Sequence, residues 1–157
     1  MKYAELLSTV PSEITNDPIW RLEVYRLALF ADDIGWKDVL VLSKNNLMWG
    51  VADQLHRSLG SISANLTEGY SRSKGLDRAR FIEISLGSAR ESRDWYYKSR
   101  HVLPAEVIKH RMGLVTQIIA MLTPMIQHQR KNAIREERAE YHTQPLDFLL
   151  DSQVPFP

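Results

Sequence analysis

The sequence predicts an all-α protein, a helical bundle, on three observations. Apolar residues recur at spacings of three and four along four long stretches, as helices with one buried face require. Helix-opening signals stand at three of them: Asp17-Pro18 before the first, Ser73 before the third and Pro104 at the fourth. Turn-forming residues separate them, at Lys44-Asn45-Asn46 and across residues 71–75.

Residues 1–17 read as a lead-in, an apolar patch at 4–7 followed by turn signals at Pro11, Asn16 and Asp17. The first helix should open at Asp17-Pro18, where the aspartate can cap the first turn and the proline's missing N–H costs nothing. Trp20, Val24, Leu27 and Ala31 form its apolar face. Asp32, Asp33 and Gly35 should weaken or kink it, so that Trp36, Val39, Leu40 and Leu42 either continue the helix or connect onward. The second helix, about 47–70, carries one buried stripe of Leu47, Val51, Leu55, Leu59, Ile62 and Leu66. A polar stripe of Gln54, Arg57, Ser61, Glu68 and Arg72 lies roughly 120° round from it, with Asn65 at its edge. His56, Gly60, Ser63 and Thr67 make a third, mostly small face that admits another backbone.

In the third helix, reaching to about 102, Phe81, Ile84, Ser88, Trp95 and Val102 define the buried face, while Arg90, Asp94 and Lys98 pair with one another at i, i+4. The fourth turns Ile108, Val115, Ile118, Ile119, Leu122, Met125 and Ile126 inward, and Pro124 should kink it. Residues 130–140 extend it as a charged helix beyond the core. The chain thus divides into a lead-in (1–17), a bundle with an extended last helix (18–140) and an apolar, proline-containing tail (141–157). Such a tail docks on a partner, packs as a strap on its own bundle or a neighbouring subunit, or is a disordered end; docking within the assembly is the preferred reading.

At 157 residues the chain is one domain with tails. It holds no cysteine, which removes disulfides, thiolate metal sites and cysteine nucleophiles together. Its most apolar window, 114–126, falls short of the roughly 20 apolar residues of a membrane span, and no signal-peptide core is evident, so the expectation is a cytoplasmic protein without a membrane partner. Net charge is +1 but unevenly placed: 5 − 8 = −3 over 1–56, 11 − 6 = +5 over 57–111, and 4 − 5 = −1 beyond. The basic middle is compatible with a polyanion-facing surface and equally with an ordinary solvated face.

No catalytic constellation, glycine-rich phosphate loop or histidine metal spacing occurs, so the chain is read as non-enzymatic, with neither cofactor nor metal, and its five histidines as surface or interface residues. Arg57 and Glu68 share a helix face but stand about 16 Å apart, too far to bond. Glu68 can reach Arg72, and Arg57 needs a carboxylate on a neighbouring helix or subunit; a hydrogen-bonded polar seam between helices accounts for this stripe better than a ligand site. Arg72, Lys74, Arg78 and Arg80 cluster near Tyr70, a combination that suits phosphate contact and base stacking, or simply a solubilising loop.

The run Gln54-Leu-His-Arg57-Ser-Leu-Gly-Ser61-Ile62-Ser-Ala-Asn65-Leu-Thr-Glu68-Gly69-Tyr-Ser-Arg72, then Arg80-Phe81, Gly87-Ser88 and Glu91, resembles the four-helix-bundle proteins encoded by intervening sequences of large-subunit ribosomal RNA genes. That family includes the accessory variability determinant of diversity-generating retroelements. The resemblance spans about residues 20–129; Ser58, Ala64 and Thr67 stand where the family usually has alanine, often proline, and alanine. It implies an antiparallel four-helix bundle assembled as a homopentameric ring or barrel with polar seams between subunits. Asn65, Glu68, Gly69, Gly87, Ser88 and Glu91 would then be subunit-interface or structural residues. Arg57, Arg72, Lys74, Arg78 and Arg80 would contact RNA or DNA, or a partner protein such as a reverse transcriptase. The alternative is a protein-interaction scaffold without nucleic-acid binding, its tail docked on a subunit or client.

Overall fold

A computed structural model describes residues 2–73, 75–130, 150 and 155. These residues are all-helical, with no strand among them: α1 (Tyr3–Thr9), α2 (Ser12–Thr15), α3 (Glu23–Leu42), α4 (Trp49–Tyr70), α5 (Gly75–Lys98) and α6 (Ala105–Gln129). The four long helices share one core, α3 packing on α4 and α6, and α5 on α4 and α6. Leu27, Phe30 and Ile34 of α3 meet Leu55, Leu59 and Ile62 of α4, Ile82 of α5, and Leu114, Ile118 and Ile119 of α6 in a single cluster that is almost wholly inaccessible. Each such side chain stabilises the fold by about 1.5–3 kcal/mol relative to exposure.

The N-terminal region is helical earlier than expected, α1 and α2 occupying the lead-in. Asp17 does cap a turn, its carboxylate accepting from the Ile19 N–H at 2.9 Å, but the turn is a short 3₁₀ segment, Pro18–Arg21, and the long helix begins at Glu23. Asp32, Asp33 and Gly35 do not interrupt α3. Gly35 is there for a close approach: a Cβ would fall 2.4 Å from Leu59 Cδ1 and 3.1 Å from the Tyr96 hydroxyl. Asn45 ends the following turn by accepting from the Leu47 N–H at 3.0 Å. Leu47 therefore precedes α4 and is 92 % exposed rather than part of its stripe, whereas Leu55, Leu59, Ile62 and Leu66 are buried as their spacing requires.

The inward face of α5 is rotated from the expected one. Ala79, Ile82, Leu86, Ala89 and Tyr96 face the core, Ile84 is exposed, and Phe81, Trp95 and Val102 are only partly covered. The cause is that α5 lies against α4 through small polar residues. Ser85 donates to the Ile62 carbonyl at 2.9 Å, Ser88 to the Ser61 hydroxyl at 3.0 Å and Ser92 to the Ser58 hydroxyl at 2.9 Å. A polar seam between helices is present, built of serines and not of Arg57 and Glu68. Helix α6 runs on through Pro124, which withholds one backbone N–H from the ladder.

Two tail residues meet the helices: Leu150 packs against the core, and the Pro155 carbonyl accepts from Arg111 at 2.9 Å. The rest of 141–157 and the charged stretch from Lys131 lie outside the described residues. Among those described, no helix is long and apolar enough to cross a membrane.

Candidate nucleic-acid interface

The turn between α4 and α5 gathers three of the five basic residues singled out in the sequence. It can form because Gly69, in the last turn of α4, lies against the first turns of α5: a Cβ there would fall 2.8 Å from Phe81 Cβ and 3.4 Å from the Arg78 carbonyl. The two helix ends close on that missing side chain, bringing Arg72 over the Phe81 ring at 4.8 Å and Arg78 over Tyr70 at 5.8 Å. Arg72 also bonds Glu68 one turn back, as the i, i+4 spacing implies, and Arg78 Nη2 donates to the Arg72 carbonyl at 2.9 Å. Arg80 is exposed and, with Arg72, Asp77 and Phe81, lines a shallow concavity of about 280 Å³. The result is a surface on which Arg72, Arg80 and Tyr70 are exposed and Arg78 and Phe81 half-buried, moderated by Glu68 and Asp77. Lys74 lies outside the described residues.

Arg57 stands apart. Thirteen residues of α4 lie between it and the helix end at Tyr70, about 20 Å of helix rise, and Arg72 lies in the turn beyond. Its guanidinium lies 4.0 Å from the Asp53 carboxylate one turn back, with its side chain 72 % exposed. Of the other residues named, Asn65 donates to the Ser61 carbonyl at 2.7 Å and to its hydroxyl at 2.9 Å, and Ser88 belongs to the serine seam. Glu91 is exposed and accepts from Trp95 Nε1 at 3.1 Å, and Gly87 faces open space.

The pattern of the 23S rRNA-intervening sequence protein matches residues 22–124, from the N-cap of α3 to the last turns of α6. The chain belongs to this family. No curated protein and no solved structure matches it. The intervening-sequence match takes in all of α3, α4 and α5, and leaves α1 and α2 outside.

A second polar centre of this intervening-sequence protein went unread in its sequence. Arg111 of α6 and Asp38 of α3, 1 % and 0 % exposed, form a two-pronged pair, Nε to Oδ2 at 2.7 Å and Nη2 to Oδ1 at 3.1 Å. The Tyr96 hydroxyl donates to Asp38 Oδ2 at 3.0 Å, and Arg111 Nη1 lies 3.0 Å from His110 Nδ1, which must accept because a guanidinium cannot. Burial, then the Asp38 charge, pushes the Tyr96 hydroxyl well above the ordinary tyrosine range. His110 is thus a core residue, against the expectation for the histidines, whereas His56, His101 and His128 are exposed and His142 is not described. A signal was available: Asp38 is four residues from both Ile34 and Leu42, and Arg111 four from both Val107 and Val115, so each charge sits on its helix's apolar face. With every charged prong satisfied inside the protein, the centre ties α3, α5 and α6 together and offers no reacting group to a ligand.

Proposed function

We propose that this protein is a non-enzymatic, homo-oligomeric nucleic-acid-binding bundle: an antiparallel four-helix arrangement, assembled as a homopentameric ring, that serves as an accessory subunit to a reverse transcriptase or another RNA-handling protein. The observation that carries the nucleic-acid reading is the gathering of Arg72, Arg78 and Arg80 with Tyr70 and Phe81 at one exposed turn. Guanidinium groups supply phosphate contacts, and aromatic and guanidinium faces stack with unpaired bases. The excess of cations over residues 57–111, 11 − 6 = +5, or +4 with Arg111 set aside as paired with Asp38 in the core, adds a field of the right sign. Membership of a family named for intervening sequences in ribosomal RNA agrees with an RNA-related role. The ring and the reverse transcriptase rest on the family resemblance, and a ring would repeat the basic turn around one axis.

Exposed Leu47 and Trp49 at the start of α4 favour the second reading, a protein-interaction scaffold. The two readings separate in a titration of a fluorescently labelled structured RNA, followed by anisotropy at several salt concentrations. Phosphate binding gives an affinity that falls steeply with salt, because condensed counterions are released. The double variant R78E/R80E should lose binding while light scattering shows an unchanged assembly. Absence of binding at low salt would replace the nucleic-acid reading by the scaffold.

A further inference from the structure

We propose that the groove between the N-terminal helices and the α3–α4 pair is a docking site for a basic, amphipathic peptide segment of a partner protein. The groove has a volume of about 440 Å³ and apolar walls from Leu6, Ile14, Leu29 and Trp36, with Asp32 and Asp33 set into them. That volume is in the range of built ligand sites, and the wall has their usual composition, apolar with a few polar groups converging.

Charge complementarity selects the occupant. Among the described residues neither Asp32 nor Asp33 makes a hydrogen bond or an ion pair, although Asp32 is half-buried. Burial pushes the Asp32 carboxyl up, the neighbouring Asp33 charge adds to this, and His56 opposes it. A half-desolvated carboxylate with no hydrogen bond or ion pair is stabilised by a cation that arrives with a partner. Residues 1–56 carry 5 − 8 = −3, or −2 once Asp38 is set aside as paired with Arg111 in the core, a field that attracts a basic segment. Trp36, 52 % exposed and held edge-on against His56 with ring centroids 5.4 Å apart, offers a face on which a guanidinium can stack.

The shape selects a peptide over a small cation. One turn along α3 from Trp36, outside the groove, Leu40 is 47 % exposed, so the apolar strip outruns any small molecule held between the walls. A segment with a basic residue over Asp32 and apolar residues one turn away covers both. The wall from α1 and α2 lies outside residues 22–124, Leu29, Asp32, Asp33, Trp36 and His56 lie within them, and the groove shares no residue with the basic turn.

The probe is a fluorescein-labelled amphipathic leucine–arginine peptide, titrated against the full-length protein and followed by anisotropy, beside a twin with glutamine for each arginine. The arginine peptide should bind saturably and its twin at least about tenfold more weakly. The double variant D32N/D33N should lose about tenfold in affinity for it, as expected for removing a charge-assisted contact. W36A should weaken it as well, with thermal melts showing all variants folded. Equal binding of the two peptides, unchanged affinity in D32N/D33N, or no binding at millimolar peptide would each overturn the proposal. Displacement by N-acetyl-arginine amide at the concentration of the peptide itself would instead assign the groove to a small cation. A change of assembly mass in W36A would show that a second copy of the chain covers it.

Discussion

At the scale of single residues, the Asp38–Arg111 pair contributes most to the identity of the core and is the most exposed to mutation. Two opposite charges with almost no solvent access are tolerable only because the fork pairs them twice, with Tyr96 and His110 filling remaining valences. R111M should leave the Asp38 charge stranded and cost about 3–5 kcal/mol in urea denaturation. Y96F, which removes one hydrogen bond to a charged acceptor, should cost about 1–2 kcal/mol, and the double variant D38L/R111M should recover part of the loss of R111M because no charge is left unpaired. Asp32 presents the opposite case. Its folded value is raised, chiefly by burial, so the native state holds the proton more readily than the unfolded chain. Stability from this group is therefore greatest at low pH, falls as pH rises from the ordinary aspartate value through the raised one, and is lowest above it. D32N should raise the melting temperature at pH 7 and change it little at pH 3. A lowered melting temperature at pH 7 would mean that the carboxylate already has a favourable partner.

At the scale of elements, three helical glycines should answer to substitution in opposite ways. Gly69 sits where a Cβ would fall 2.8 Å from Phe81 Cβ, so alanine there forces α4 and α5 apart, and at Gly35, 2.4 Å from Leu59 Cδ1, it forces a buried side chain to repack, each at a cost of about 1–3 kcal/mol. Gly87 has nothing within 4 Å of its virtual Cβ, and alanine there should stabilise the isolated chain by about 0.5–1 kcal/mol through helix propensity. If a second subunit covers Gly87, the same variant will weaken assembly instead, and denaturation followed at several protein concentrations separates the two effects. The same elements show how far the sequence could be read. Periodicity located the four long helices because Leu, Ile and Val at spacings of three and four dominate α4 and α6. It turned the inward face of α5 because the large apolar residues Phe81, Ile84 and Trp95 were given the core, whereas Ala79, Ser85, Ala89 and Ser92 seat that helix against its neighbours. Asp32, Asp33 and Gly35 suggested a weakened or kinked helix with its continuation open; α3 continues to Leu42 because tertiary packing of Phe30, Ile34 and Leu42 overrides weak local propensity. At the candidate interface, the i, i+4 pairing of Glu68 with Arg72 was legible. The separation of Arg57 followed from helix rise alone, but the closure that brings Arg72 over Phe81 depends on the absent Cβ of Gly69, which no local pattern encodes.

At the scale of the whole molecule, the near-neutral net charge and the proposed binding of a polyanion are reconciled only by geometry. Three arginines at one turn, partly compensated by Glu68 and Asp77, make a weak site in a single chain. In a ring the turns repeat, and a nucleic acid held by one reaches the next at a high effective concentration, so affinities multiply without any new kind of contact. A multivalent ring has a consequence that a single-chain site lacks. When wild-type and R78E/R80E subunits are unfolded together, refolded in varied ratios and titrated with the same RNA, affinity should fall much faster than the fraction of wild-type subunits, because each replaced turn removes one link from the multivalent contact. A decline in the number of binding sites at constant affinity would mean that each turn binds alone. The assembly would then matter for stability and not for recognition.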